Sequence, residues 1–168
     1  AFQSRVGEHL LVAGDDLVDF LHPVGFGNPL CFLGGWKSIN DLVGYHPEWG
    51  MEAVVVDKHS FRAVRRFRLD PFVVFHFGNS WQSGDRLVVD LVRYEDFSIN
   101  EQLSDVFHAR DAEAGAFWRY QLDLATGQVS ARVLEAALPG EFPQWDPRFT
   151  GRATRYIYAN GIRENGTD

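Results

Sequence analysis

Short runs of apolar residues recur along the chain, and each run is bounded by Gly, Pro, Asp or Asn. The runs are rich in β-branched and aromatic side chains, which is typical of β-strands. They predict strand segments at residues 9–21, 51–58, 60–69, 71–81, 85–94, 116–134 and 154–161. Helical periodicity is weak and predicts only two short helices, near residues 38–43 and 100–106. The pattern therefore indicates an all-β fold.

Two tight turns predict that neighbouring strands pair with each other. Ser83–Asp85 separates two apolar runs, and Ala125–Gly127 separates two more, with a glycine in each turn to adopt a positive φ. Repeated antiparallel hairpins of this kind build propellers, sandwiches and barrels. Between the two hairpins, residues 95–114 are mostly polar and predict a long surface excursion.

The composition narrows the class of protein. The 168 residues are 45% hydrophobic and 14% aromatic, which is enough for the buried core of one domain. The net charge is −7 and there is no block of Lys or Arg, so a nucleic-acid partner is not expected. The one cysteine, Cys31, excludes an internal disulfide and favours a reducing, cytoplasmic location. No apolar run is long enough to span a bilayer, and membrane association is left open.

The segment FHFGNSW, residues 75–81, places His76 in the middle of an apolar run. Residues on both sides of a strand at 72–79 would be apolar, so we expect an interior strand with His76 pointing inward. Gly78 would leave room beside it for another group. A buried imidazole must have its ring nitrogens satisfied by hydrogen bonds or by a metal. From these residues alone, a core histidine bonded to a carbonyl and a metal ligand both remain open.

Other polar residues have simpler interpretations. His46 and His59 lie in turn-like surroundings and are predicted to be exposed, while His108 belongs to the polar excursion. Asp146 is predicted to be solvated or to cap the backbone, as acidic residues in turns commonly do. Arg148 is predicted to pair with an acidic residue for structure rather than for chemistry.

Four motifs occur in one order and together resemble the carotenoid oxygenase family, which includes the carotenoid cleavage dioxygenases and the lignostilbene-type enzymes. The motifs are FHFGNSW, GDRLVVDLVRY, WRYQLDLATGQVSARVL and EFPQWDPRFTGRATRYIYANG. The resemblance is strongest from Pro71 to Gly161. Upstream, LVGYHPEWGMEAVVVDK is similar to the family segment that precedes the iron-binding strand.

The resemblance implies a specific fold and site. Family members are seven-bladed β-propellers with a non-haem Fe(II) on the axis, held by four histidines, three of which are oriented by glutamates. His76 falls on one of the four ligand positions, and Glu141 falls on one of the orienting glutamates. Because family members are much longer, residues 1–168 are expected to form two or three blades of one incomplete propeller domain.

The implied reaction is oxidative cleavage of a conjugated C=C bond of a carotenoid, apocarotenoid or stilbene by O₂, giving two carbonyl products. The family's preceding ligand lies in a His-Asp-Phe motif that would fall near Phe2 to Ser4, where no histidine stands, and His9 and His22 lie off that register. We therefore expect this chain alone to be inactive. The alternative is a non-catalytic β-rich binding module that has lost the iron site.

Overall fold

The computed structural model describes residues 5–7, 11–13, 16–38, 40–100, 115–134 and 139–161. Its strands are β1 (Arg5–Gly7), β2 (Leu11–Ala13), β3 (Asp16–Phe26), β4 (Val43–Tyr45), β5 (Met51–Asp57), β6 (Ala63–Leu69), β7 (Phe77–Ser83), β8 (Arg86–Arg93), β9 (Ala116–Asp123), β10 (Val129–Val133), β11 (Gly140–Gln144) and β12 (Tyr158–Gly161). Among the described residues, the complete helical elements are α1 (Pro29–Leu33) and 3₁₀ turns at Asn40–Leu42, Pro47–Trp49 and Pro147–Phe149. Residues 98–100 are also helical, at the end of a described segment. In this part of the chain, no helix is long or apolar enough to cross a bilayer.

The named strands form three sheets, and every pair of neighbouring strands is antiparallel. The first sheet has the order β1-β3-β5-β6, with β2 and β4 also paired to β3. The second sheet has the order β10-β9-β8-β7, and the third contains β11 and β12. A four-stranded antiparallel sheet whose strands follow one another in sequence, like the second sheet, is the layout of a propeller blade.

The main hydrophobic core lies between the first and second sheets. Val18 and Phe20 of β3 and Phe67 of β6 belong to the same buried cluster as residues of the second sheet, and the ring centroids of Phe20 and Phe77 lie 5.2 Å apart. The second sheet contributes the side chains on one face of its strands, Phe77, Leu87, Val89, Leu91, Tyr120 and Leu122. Burial of such aliphatic and aromatic side chains is the main favourable contribution to folding.

Strand β8 is buried on both of its faces. Leu87, Val89 and Leu91 belong to the main core, whereas Val92 and the following Tyr94 belong to a second cluster. This second cluster, which we call the outer cluster, consists of Val73, Val92, Tyr94, Ile99 and Phe117. A strand with cores on both faces lies in the interior of the fold, so its side chains have little freedom.

Most of the predicted strands and both predicted hairpins are confirmed. Segments 51–58, 60–69 and 85–94 contain β5, β6 and β8, and the segment 116–134 forms β9 and β10 around the turn at Ala125–Gly127. The all-β prediction holds because these runs are either alternating, as in a strand with one buried face, or continuously apolar, as in a strand with two. Of the predicted excursion, residues 101–114 lie outside the described part of the chain.

Three sequence predictions are wrong in detail. Segment 9–21 contains a hairpin, because β2 pairs with β3 with Ala13 opposite Asp16. Segment 71–81 becomes a strand only at Phe77, and the predicted helix near 38–43 is a 3₁₀ turn followed by β4. In the last case Asp41 N donates to Ser38 Oγ at 3.3 Å, as at the start of a helix, but residues 43–45 pair with β3 instead of continuing the helix. The second predicted helix shows helical geometry at 98–100, and its remainder is outside the described residues.

Gly115 provides a test of the packing in the outer cluster. A Cβ at this position would lie 2.2 Å from Val92 Cγ1 and 3.0 Å from Tyr94 Cζ. We expect Gly115→Ala to lower the free energy of unfolding by about 1–3 kcal/mol, because an overpacked core must shift its side chains or backbone. The measurement is urea denaturation followed by tryptophan fluorescence.

Gly27→Ala is the matched control, since its Cβ would meet no atom closer than 3.4 Å. Equal stability of Gly115→Ala and Gly27→Ala would contradict the packing described here.

Candidate metal centre

His76 immediately precedes β7, so the prediction of a strand position for it was wrong. Its carbonyl accepts from Val92 N at 3.0 Å, which ties its backbone to β8. Regular strand pairing ends near His76. An isolated bridge joins Val73 to Tyr94, which follows β8, and the register between β7 and β8 shifts between Phe77 and Ser80. The side chain of His76 is therefore not enclosed by a sheet and is 39% exposed.

The ring of His76 is oriented by a carboxylate from the third sheet. Its Nδ1 lies 2.8 Å from Glu141 Oε2, and Glu141 is on β11, where its side chain is 15% exposed. An ionised carboxylate can only accept, so this contact places the ring proton on Nδ1. In the neutral ring the lone pair is then on Nε2, and no hydrogen bond within the described residues engages that atom.

Glu141 receives further donors. Tyr94 donates its hydroxyl to Oε1, and the backbone N–H of Phe142 lies 3.2 Å from Oε2. The ring of Phe142 packs against the imidazole of His76, with centroids 4.5 Å apart. Phe142 also has φ of 57°, a left-handed conformation that is unusual for a bulky residue. The carboxylate and the imidazole are thus each held by more than one contact.

Asn79 fixes the loop that follows β11 to β7. It is only 1% exposed, and its Nδ2 donates to the carbonyls of Phe149 at 3.0 Å and Arg152 at 2.7 Å. Its Oδ1 accepts from Ser80 N at 3.0 Å. One amide side chain therefore joins the second sheet to the segment between β11 and β12. Asn79 stands three residues after His76 in the motif FHFGN, but the sequence held no signal for its partners.

Gly78 serves a different purpose from the one expected. A Cβ there would lie 3.2 Å from Asp90 Cβ and 3.3 Å from Asp90 O. The space beside Gly78 is therefore filled by β8. Asp90 itself is 1% exposed and accepts two hydrogen bonds from Arg119, its cross-strand partner on β9.

The remaining candidates have structural surroundings. His59 is exposed as predicted, whereas His46 is only partly exposed because its ring stacks on Trp49 with centroids 4.1 Å apart. Asp146 accepts from Arg148 N at 3.0 Å, and the side-chain hydrogen bond from Arg148 lowers the pKa of this carboxyl. The backbone cap predicted for Asp146 and the pairing of Arg148 with an acidic residue are therefore both observed. His108 lies outside the described residues.

The described residues fit one position of a metal centre. His76 offers a free Nε2 and a carboxylate-held Nδ1–H, which is the arrangement that metal-binding histidines commonly show. Within residues covered by the structure, no group of three His, Cys, Asp or Glu side chains is placed to hold an ion. The remaining ligands of such a centre would have to come from elsewhere.

The fold is similar to solved structures of carotenoid oxygenases. An ACO/RPE65 chimera matches with a TM-score of 0.79 and 19% identity, over 96% of this chain and 34% of the chimera. A cobalt-substituted ACO of Synechocystis matches with a TM-score of 0.78 and 20% identity, over 95% of this chain and 33% of that chain. The chain therefore has the fold of part of a β-propeller oxygenase.

Curated relatives show the same similarity in sequence. The carotenoid 9,10(9',10')-cleavage dioxygenase 1 of Pisum sativum is 28% identical over 106 residues, which is 63% of this chain and 19% of the pea protein. Its counterpart from Phaseolus vulgaris is 25% identical over 99 residues, or 59% of this chain and 18% of the bean protein. The chain thus spans only a small part of the length of these relatives.

Residues 20–168 match the family described as RPE65, retinal pigment epithelial membrane protein. The chain belongs to this family of carotenoid oxygenases, and the resemblance found in its motifs is confirmed.

The Asn79 network yields a stability test. Asn79→Ala removes a buried donor from two carbonyls and an acceptor from Ser80 N. We expect the free energy of unfolding to fall by about 1–3 kcal/mol, because buried polar groups left without partners retain their desolvation cost. Chemical denaturation measures the change.

Gln82→Ala is the control, since Gln82 makes one exposed hydrogen bond to Gly84 O. A loss for Asn79→Ala no larger than that for Gln82→Ala would show that the Asn79 network is not important for stability.

Proposed function

We propose that this chain is part of a non-haem Fe(II) dioxygenase that cleaves a conjugated C=C bond of a carotenoid, apocarotenoid or stilbene into two carbonyl products. Family membership and the carotenoid-cleaving relatives support the reaction class. The observation that carries the proposal for this chain is the hydrogen bond between His76 Nδ1 and Glu141 Oε2. The substrates of the proposed enzyme are such a polyene or stilbene and O₂.

His76 is proposed as an iron ligand through Nε2. Neutral imidazole is a suitable ligand for Fe(II), and a carboxylate on the other ring nitrogen fixes the tautomer and raises the basicity of the ligand. When bound, the iron would supply the activation of dioxygen that this cleavage requires. Further ligands would come from outside the residues described here.

The other side chains at the site hold His76 in place. Glu141 accepts a hydrogen bond from Nδ1–H, which keeps the ring proton on Nδ1 and leaves Nε2 without it. The ring of Phe142 packs against the imidazole, which restricts the rotation of the imidazole. Asn79 fixes the loop after β11, and with it the position of Glu141 relative to His76. Preorganisation of this kind is what a metal centre requires from its surroundings.

A cytoplasmic location stays a prediction. It is supported by Cys31 being a free thiol, which is compatible with a reducing compartment.

The proposal predicts an order of activities among variants of the full-length protein that carries this chain. Glu141→Gln keeps the shape but removes the charge that orients the ring, and we expect activity or metal affinity to fall about 10- to 100-fold. His76→Ala deletes the ligand and should abolish cleavage. Iron content by elemental analysis and carbonyl product by chromatography are measured on protein that is shown to be folded by circular dichroism.

His59→Ala is the matched control, because His59 is exposed and distant in sequence from both site residues. It should retain the iron content and rate of the unmodified protein. If His76→Ala kept both, His76 would not be a ligand. If the unmodified protein bound no iron and cleaved no polyene or stilbene, the alternative of a non-catalytic β-rich binding module would replace this proposal.

A further inference from the structure

Tyr94 follows β8 and is attached to the segment that leads to His76. Its backbone N–H and C=O each hydrogen-bond to Val73, at 2.9 Å in both directions. Its hydroxyl donates to Oε1 of Glu141, the carboxylate oxygen that does not contact His76. Tyr94 therefore connects the second sheet to the carboxylate that orients the imidazole.

Packing determines where this hydroxyl lies. Tyr94 is 6% exposed and belongs to the outer cluster. Its ring meets the ring of Phe75 edge-on, with centroids 5.8 Å apart and an interplanar angle of 71°. Gly115 has no side chain, and this leaves the space that the Tyr94 ring occupies. A tyrosine confined in this way presents its hydroxyl at a fixed position, because it has few rotamers to choose from.

The hydroxyl completes the set of donors around Glu141. Oε2 is engaged by His76 Nδ1 and by Phe142 N, and Oε1 by Tyr94. Without the hydroxyl, both remaining donors act on one oxygen, and the carboxylate is free to turn about the bond that joins it to the side chain. A turn of this kind would weaken the bond to Nδ1 and allow the ring proton to move to Nε2.

We propose that Tyr94 is a positioning residue of the metal centre. Its hydroxyl holds the Glu141 carboxylate so that Oε2 retains the Nδ1–H tautomer of His76 and leaves Nε2 for a metal ion. The metal-binding part of this inference rests on the proposed function. The link from Tyr94 through Glu141 to His76 exists without metal and is tested separately.

The first test uses Tyr94→Phe in the full-length protein, with Co²⁺ as the metal probe in equilibrium dialysis. The variant keeps the buried ring and loses only the hydroxyl. We expect the affinity for Co²⁺ to fall about 10-fold, the lower end of the effect of losing a group that supports a metal-bound histidine. Tyr45→Phe is the matched control, because Tyr45 packs against the same outer cluster but its hydroxyl lies near Glu95 O. Equal affinities of the two variants would overturn the proposal.

A double-mutant cycle separates positioning from packing. If Tyr94 acts through Glu141, Tyr94→Phe should have no further effect on Co²⁺ affinity once Glu141→Ala is present. If the two effects are additive instead, Tyr94 acts on the site by some other route and the proposal is wrong.

The last test needs no metal. Nitrogen-15 NMR of the His76 ring in metal-free protein reports which ring nitrogen carries the proton. We expect Nδ1–H in the unmodified protein and in Tyr45→Phe, and an increased fraction of Nε2–H in Tyr94→Phe. An unchanged tautomer in Tyr94→Phe would overturn this inference alone, whereas Co²⁺ affinity that is insensitive to His76→Ala would remove the proposed function.

Discussion

The contact between His76 Nδ1 and Glu141 Oε2 joins two parts of the chain that are 65 residues apart. It is formed only if the segment before β7 and the start of β11 are held at a fixed separation, since a hydrogen bond weakens steeply outside a narrow range of distance and angle. Neither residue is held by regular sheet pairing alone. The geometry of the candidate centre therefore depends on how firmly the second and third sheets are connected.

The second sheet, which carries the contacts to the third, is itself held in register by a buried ion pair between β8 and β9. Asp90 and Arg119 are directly opposite on β8 and β9, and Arg119 also lies over the ring of Trp81 at 4.9 Å. Burial of an ion pair adds little net stability, because desolvation offsets the attraction. We infer that this pair mainly specifies the register of the two strands. A shift of one residue would turn Tyr94 and Val92 away from the outer cluster.

The sequence was informative where local pattern decides structure. The hairpin between β9 and β10 was predictable because a glycine-containing turn separates two alternating runs. The hairpin between β2 and β3 was missed, although Gly14-Asp15 between apolar runs is a turn signal. β11 was missed as well, because Gly140 and Pro143 mask its strand character. Where β7 begins was unpredictable, since that depends on the pairing of β8.

The candidate site, like the fold, could be predicted from the sequence only in part. An apolar run with one histidine marked His76 as unusual, but only the family resemblance connected it with Glu141. Tyr94 and Asn79 carried no signal of their own, because each acts through partners that are distant in sequence. Contacts of this kind follow from tertiary packing, and neither the periodicity of the sequence nor local propensity predicts them.

Phe142 illustrates a conflict between folding and site geometry. A left-handed backbone costs a bulky residue on the order of 1–3 kcal/mol, and glycine would avoid this cost. Glycine, however, would uncover the imidazole that the Phe142 ring packs against. Selection for stability alone would therefore move this position toward glycine or asparagine, whereas selection for an ordered His76 would retain an aromatic ring. A sequence library selected separately for thermal resistance and for metal retention would diverge at this position.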